Sequence, residues 1–142
     1  MIDPFQKILF NHASHFRMGI LRSNPSTSPL GTLRDFPRGA CSDASLLLAK
    51  YLQVKRCGQS MYVLGERDGQ RHAWLQLQDF IIDITADQFD DQDAGVLVST
   101  DSSWHSSFKG KINSVADFCL YEPRTVFELT RAYEAIGKTL PT

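Results

Sequence analysis

Three short segments between residues 60 and 85 leave this chain little conformational freedom. SMYVLGE, HAWLQLQ and FIIDIT are each of strand length and carry strand signals, and they are punctuated by Asp68-Gly69 and Gln78-Asp79. Asp-Gly between apolar runs is a hairpin signal, so the three read as an antiparallel meander. In HAWLQLQ, His72, Trp74, Gln76 and Gln78 share one face, while Ala73, Leu75 and Leu77 share the other. A two-residue turn at Gln78-Asp79 pairs Leu77 with Phe80 and sets Trp74 against Asp83. His72 and Asp83 then become diagonal neighbours on one face. An odd-length connection would put them on opposite faces. FIIDIT is apolar apart from Asp83 and Thr85, and an aspartate in such a run is costly unless it is paired or hydrogen-bonded.

Helices flank the meander. MIDPFQKILFNHASHFRMGILR spaces Phe5, Ile8, Leu9, Phe16 and Ile20 as one helix or two short ones, with a polar middle at Asn11 to Ser14. SNPSTSPLGTLRDFPRGA, rich in Ser, Pro and Gly, reads as a long irregular surface connection. Beyond it, Ala44, Leu47, Leu48, Tyr51 and Leu52 form one helical stripe. KRCGQS stops that helix, with Gly58 suited to the left-handed cap and Cys57 in the capping turn. GVLVS and VADFCLY read as further strands. The tail TVFELTRAYEAI, with Val126, Leu129, Tyr133 and Ile136 at helical spacing, closes the chain as a helix. Helices first, strands next and a helix last is an α+β order in one domain spanning 1–142.

Charge narrows the partners. With 15 Lys plus Arg against 16 Asp plus Glu the net charge is -1, which lacks the basic footprint of a nucleic-acid binder. No stretch approaches the roughly 18 to 20 apolar residues of a membrane span. Three cysteines without a CxxC, and no apolar stretch after the N-terminus, lead to the expectation of a cytoplasmic chain with reduced thiols. Signal-peptide-independent export as an effector stays open, as does oligomeric state.

Cys41 sits at the seam of RGACSDASLLLA, where the polar lead-in gives way to the apolar stripe. The start of a helix carries unpaired N–H groups and the positive pole of the macrodipole, which favours a thiolate. A buried structural thiol is the alternative for this residue alone. With His72 as the base that holds the thiolate and later protonates a leaving group, and Asp83 as the group that orients the imidazole, the three supply thiol-based acyl transfer. The backbone N–H of Cys41 could stabilise the developing oxyanion. LRDFPRGAC contains no glutamine, so a second, side-chain donor must come from elsewhere or be absent.

GACSDASLLLAKYL, RHAWLQL and FIIDITADQF together resemble the core of the transglutaminase-like superfamily, related to the papain-like cysteine enzymes, over about residues 37–89. The resemblance implies a papain-like core with the Cys-bearing helix packed on an antiparallel sheet. It also implies Cys41, His72 and Asp83 as catalytic residues and no cofactor. The expected function is hydrolysis of a peptide, isopeptide or glutamine side-chain amide through a thioester, with a protein or peptide as substrate. Transfer to an amine, or an inactive binding module of the same fold, are the alternatives.

The remaining candidates are secondary. Gln76 shares the His72 face and could contact substrate, and Trp104 and His105 in TDSSWHSSF form a polar-aromatic loop that could do the same. Cys57 and Cys119 read as structural. Asp87, Asp90, Asp91 and Asp93 fail the EF-hand pattern and read as a solvated loop or as a rim selecting cationic substrates. Cys41, His72 and Asp83 have the ligand types for a metal but lack close ligand spacing, so no metal is expected.

Overall fold

A computed structural model describes residues 3–140. The described residues form a mixed α+β fold with three α-helices and a five-stranded antiparallel sheet. The helices are α1 (Pro4–Arg22), α2 (Cys41–Val54) and α3 (Pro123–Gly137), and the strands β1 (Met61–Arg67), β2 (Gln70–Leu77), β3 (Phe80–Asp83), β4 (Leu97–Ser99) and β5 (Lys111–Val115). The sheet runs β4-β3-β2-β1-β5, so β2, which carries His72, is the central strand.

The meander has the expected register. Asp68 and Gly69, both at positive φ, close the β1–β2 hairpin, and Leu77 pairs with Phe80 across the Gln78-Asp79 turn. The two faces of β2 enter different cores. Ala73, Leu75 and Leu77 join the main core beneath α1, α2 and α3. Trp74 joins a smaller cluster with Val63, Ile81, Phe89 and Phe108 on the opposite face.

α1 is one continuous helix, because Asp3 caps Phe5 and Gln6 while Leu9, Ala13, Phe16 and Ile20 bury a single stripe through the polar middle. The long connection to α2 is indeed irregular, with short 3₁₀ turns at Pro25–Thr27 and Gly31–Leu33. α2 begins at Cys41 and buries all five residues of its stripe. The cap after α2 differs from expectation. Arg56, not Gly58, is the left-handed residue that closes the helix: its N–H donates to Gln53 and that of Cys57 to Leu52, a Schellman pattern.

Two strand assignments also change. VADFCLY is not a strand, since Phe118–Leu120 is a 3₁₀ turn stapled by Asp117, whose side chain accepts from the Cys119 N–H. The strand lies earlier, at Lys111–Val115, as an exposed edge with little apolar alternation to reveal it. In FIIDIT the strand ends at Asp83, and Thr85 turns the chain by donating its N–H to the Asp83 carboxylate.

The segment from His105 to Gly110 lies tight against the second face of the sheet. A Cβ on Gly65 would come within 2.6 Å of the Phe108 carbonyl oxygen, and one on Gly110 within 2.6 Å of the Trp74 ring. These glycines let the His105–Phe108 turn reach the strands closely enough for His105 to contact Asp83.

Candidate active site

His72 and Asp83 are fully buried, at 0% and 1% exposure, and His72 Nε2 lies 2.6 Å from Asp83 Oδ2. Strand parity explains the contact. Leu75 pairs with Ile82, so the register continues to Trp74 opposite Asp83, and His72 stands one same-face step beyond. Because β3 ends there, the His72–Ala73 stretch of β2 has no strand neighbour on that side. The N-terminus of α2 fills the gap. It is pinned by the Tyr62 hydroxyl donating to Ser42 at 2.9 Å and by Ser45 donating to the Ala73 carbonyl at 3.5 Å. Cys41, half-buried, stands at the start of α2, where His72 and Ala73 both act on its thiol.

The ring thus has a divided task. Nε2 faces the carboxylate and donates to it, which leaves Nδ1 on the other side of the ring, 3.3 Å from the Gln88 amide. Burial pushes the His72 pKa down, but the hydrogen bond and charge of Asp83, together with Cys41, overcome this and lift it to about 9. Burial also pushes the Cys41 thiol up. The hydrogen bond and charge of His72, then the Ala73 N–H and the Gln88 amide, bring it below its ordinary value. Burial would raise the Asp83 carboxyl as well, yet hydrogen bonds from His105 and His72 hold it well below the usual carboxylate range. The shifts of Cys41 and His72 run in the directions expected of two groups that stabilise each other's charged forms beside a carboxylate.

His105, read from the sequence as part of a polar-aromatic loop that could contact substrate, packs inward. It is buried, its Nε2 lies 2.7 Å from the same Asp83 oxygen, and it belongs to the framework behind the site. Trp104 is half-buried over His72, Phe89 and Phe108, and its Nε1 donates to Asp91. Gln76 shares the face of His72 but lies one same-face step beyond Trp74, where its amide donates to the Gln78 carbonyl. Cys57 and Cys119 lie outside the cluster.

Gln88 was not singled out from the sequence, because a lone glutamine in an acidic loop carries no signal. The acidic loop itself is only partly solvated. Arg17 grips both oxygens of Asp87 at 2.7 and 2.9 Å and also donates to the carbonyls of Ile84 and Gly95. Arg67 holds Asp91 through two bonds and lies 4.4 Å from the Phe108 ring centroid. A cleft of about 630 Å³ opens beside the site, with Arg38, Arg67, Gln70, Gln88, Phe89, Asp90 and Asp91 as its walls.

Among the described residues, His72, Asp83 and His105 bring three ligand-type atoms within 4.8 Å of one another. Both histidine nitrogens lie only 2.6 and 2.7 Å from one carboxylate oxygen. Neighbouring ligands on a tetrahedral zinc, each about 2.0 to 2.1 Å from the ion, stand roughly 3.3 Å apart, so the spacing here fits N–H···O hydrogen bonds instead. No helix of the described residues is long and apolar enough to cross a membrane. The chain matches no family model, no curated protein and no solved structure.

Proposed function

We propose that the protein is a cysteine-dependent acyl-transfer enzyme of the transglutaminase-like type that hydrolyses an amide in a peptide, isopeptide or glutamine side chain. The observation that carries this reading is the buried His72–Asp83 pair, with Nε2 on the carboxylate, next to a thiol whose pKa His72 lowers at the start of a helix. A purely structural histidine would need only one satisfied hydrogen bond; this one links a group that stabilises its charge to a group that can accept its proton.

In the first step the Cys41 sulfur attacks the carbonyl carbon, a C–S bond forms and the C=O π pair moves to oxygen. Collapse expels the amine, which takes the Nδ1 proton of His72 and leaves a thioester. A water then loses a proton to His72 Nδ1 as it attacks the thioester, and Cys41 departs with the acid as product. Asp83 remains ionised throughout and fixes the ring through Nε2. The cleft beside Gln88 is open and lined mostly by polar side chains, which suits water as the acyl acceptor, and hydrolysis is preferred to transfer to an amine on that ground. A protein or peptide substrate and a cytoplasmic setting are part of the same reading.

The test is to trap the intermediate. Incubation with p-nitrophenyl acetate should add one acetyl group at Cys41, seen by peptide mass spectrometry, and Cys41→Ser should not acquire it. Acetylation spread equally over Cys41, Cys57 and Cys119 would sink the reading.

A further inference from the structure

Attack on an amide places negative charge on the carbonyl oxygen, and that charge needs donors aimed at the oxyanion from about 2.7 to 3.1 Å. One donor is the Cys41 N–H, because α2 has no side-chain cap at its N-terminus. The run from Leu33 to Ala40 ahead of Cys41 contains no side-chain amide, and its one cation near the helix, Arg38, is exposed. The second donor has to arrive from another part of the chain.

Gln88 is the residue that arrives. It ends the 3₁₀ turn Ala86–Gln88, and both of its neighbours are fixed: Asp87 by Arg17, and Phe89 in the aromatic cluster over His72. Its Oε1 accepts the Gly39 N–H at 3.3 Å, two residues before Cys41, which sets the direction of the amide. Nε2 therefore points inward, 3.3 Å from His72 Nδ1.

That contact has one further consequence. Nδ1 can accept from an amide only while the ring is neutral; once the ring is the imidazolium, Nδ1 donates to sulfur and Gln88 must find another acceptor. The oxygen of a bound carbonyl under attack by sulfur is an acceptor that appears in this place at this step. We propose that Gln88 is a catalytic residue whose Nε2–H donates to the oxyanion formed by attack of Cys41, together with the Cys41 N–H. The assignment rests on the function proposed above. It places the second donor after the aspartate strand, on a loop that Arg17 ties to α1.

The experiment compares two reactions at the same sulfur. Acetylation by p-nitrophenyl acetate passes through an oxyanion, whereas alkylation by iodoacetamide displaces iodide and forms none. Gln88→Met preserves size and removes the donor. It should slow nitrophenolate release by about a hundredfold while changing iodoacetamide alkylation of Cys41 by no more than about threefold, the residual effect of one lost bond to the thiolate. Gln88→Glu should be slower still in acetylation, since it puts an acceptor where a donor is needed. If Gln88→Met melts early, Gln88→Asn, which keeps the amide and shortens its reach, carries the same comparison. Unchanged acetylation in a folded variant overturns the assignment. Equal loss in both reactions also overturns it, because Gln88 would then act on the thiolate and not on the oxyanion. If the wild type shows neither selective acetylation nor selective alkylation of Cys41, the proposed function itself fails, and the assignment with it.

Discussion

His105 Nε2 lies 2.7 Å from the Asp83 oxygen that also takes the His72 N–H, so one buried carboxylate serves two imidazoles. The other Asp83 oxygen accepts from the Thr85 N–H at 3.0 Å. A carboxylate at 1% exposure has to find its donors within the protein, and His105 is one of them. His105→Phe should therefore lower stability by about 1 to 3 kcal/mol, the cost of an unmet buried acceptor, measured by urea denaturation. The acetylation rate should fall far less than in His72→Ala. A raised KM with unchanged stability would instead mark His105 as a substrate contact.

The charge states at Cys41 and His72 separate two pH profiles. In the proposed mechanism a thiolate–imidazolium pair operates from the lowered pKa of Cys41 up to the His72 pKa of about 9. Amide turnover needs the imidazolium proton and should fall above about pH 9 as His72 loses it. Alkylation by iodoacetamide needs only the thiolate and should not fall there. At mildly acidic pH Cys41 should react well before Cys57, whose thiol burial pushes up, and before exposed Cys119. Turnover and alkylation that rise and fall together across this range would show that no proton is supplied by His72.

Stability should follow the same groups with opposite signs. The pKa of His72 is raised on folding, so its contribution is complete below about 6.5, the unfolded value, and is lost as pH rises through about 9. That of Asp83 is lowered, so its contribution is complete above about 3.9 and is lost as pH falls through the folded value. The melting temperature of the wild type relative to Asp83→Asn should be greatest between about pH 4 and 6.5 and should narrow on both sides. A difference that is flat from pH 4 to 9 would contradict the shifts.

The sequence exposes the meander, its register, the His72–Asp83 contact and the helix start at Cys41 because each depends on local rules: alternation in HAWLQLQ, a two-residue turn, and an apolar stripe behind Cys41. The Arg56 cap was hidden because Gly58 is the better left-handed residue intrinsically, and only the Schellman bonds decide between them. β5 was hidden because an exposed edge strand needs little apolar patterning. His105 and Gln88 were hidden for a different reason. Each reaches the site across a long sequence interval, 22 residues from Asp83 and 16 from His72, through turns whose paths depend on tertiary contacts such as Gly65 against Phe108 and Arg17 on Asp87.

Arg17 should behave as a remote support of the loop. Its guanidinium joins Ile84, Asp87 and Gly95, and its side chain is 15% exposed. Arg17→Met leaves Asp87 half-buried and two carbonyls short of a donor, which should cost about 2 to 4 kcal/mol by denaturant unfolding. Hydrogen exchange should rise first in residues 84–95, before α2. Protection unchanged in that segment would show that the loop is held by its own turns.

The sharpest test of the catalytic unit is the coupling between His72 and Asp83. If Asp83 acts only by orienting and charging the imidazole, its effect must vanish when the imidazole is gone. Asp83→Asn keeps a side chain of the same shape but removes the charge beside Nε2, and should lower amide turnover by roughly two to four decades. His72→Ala should lower it at least as far, because the amine then leaves without a proton donor. The double variant should be little slower than His72→Ala alone, with both singles and the double shown folded by near-ultraviolet circular dichroism. Nitrophenolate release should be hurt less than amide hydrolysis in each variant, since nitrophenolate leaves without needing a proton. Losses that add in full across the cycle would show that Asp83 supports the fold around Thr85 and His105 and contributes nothing through His72.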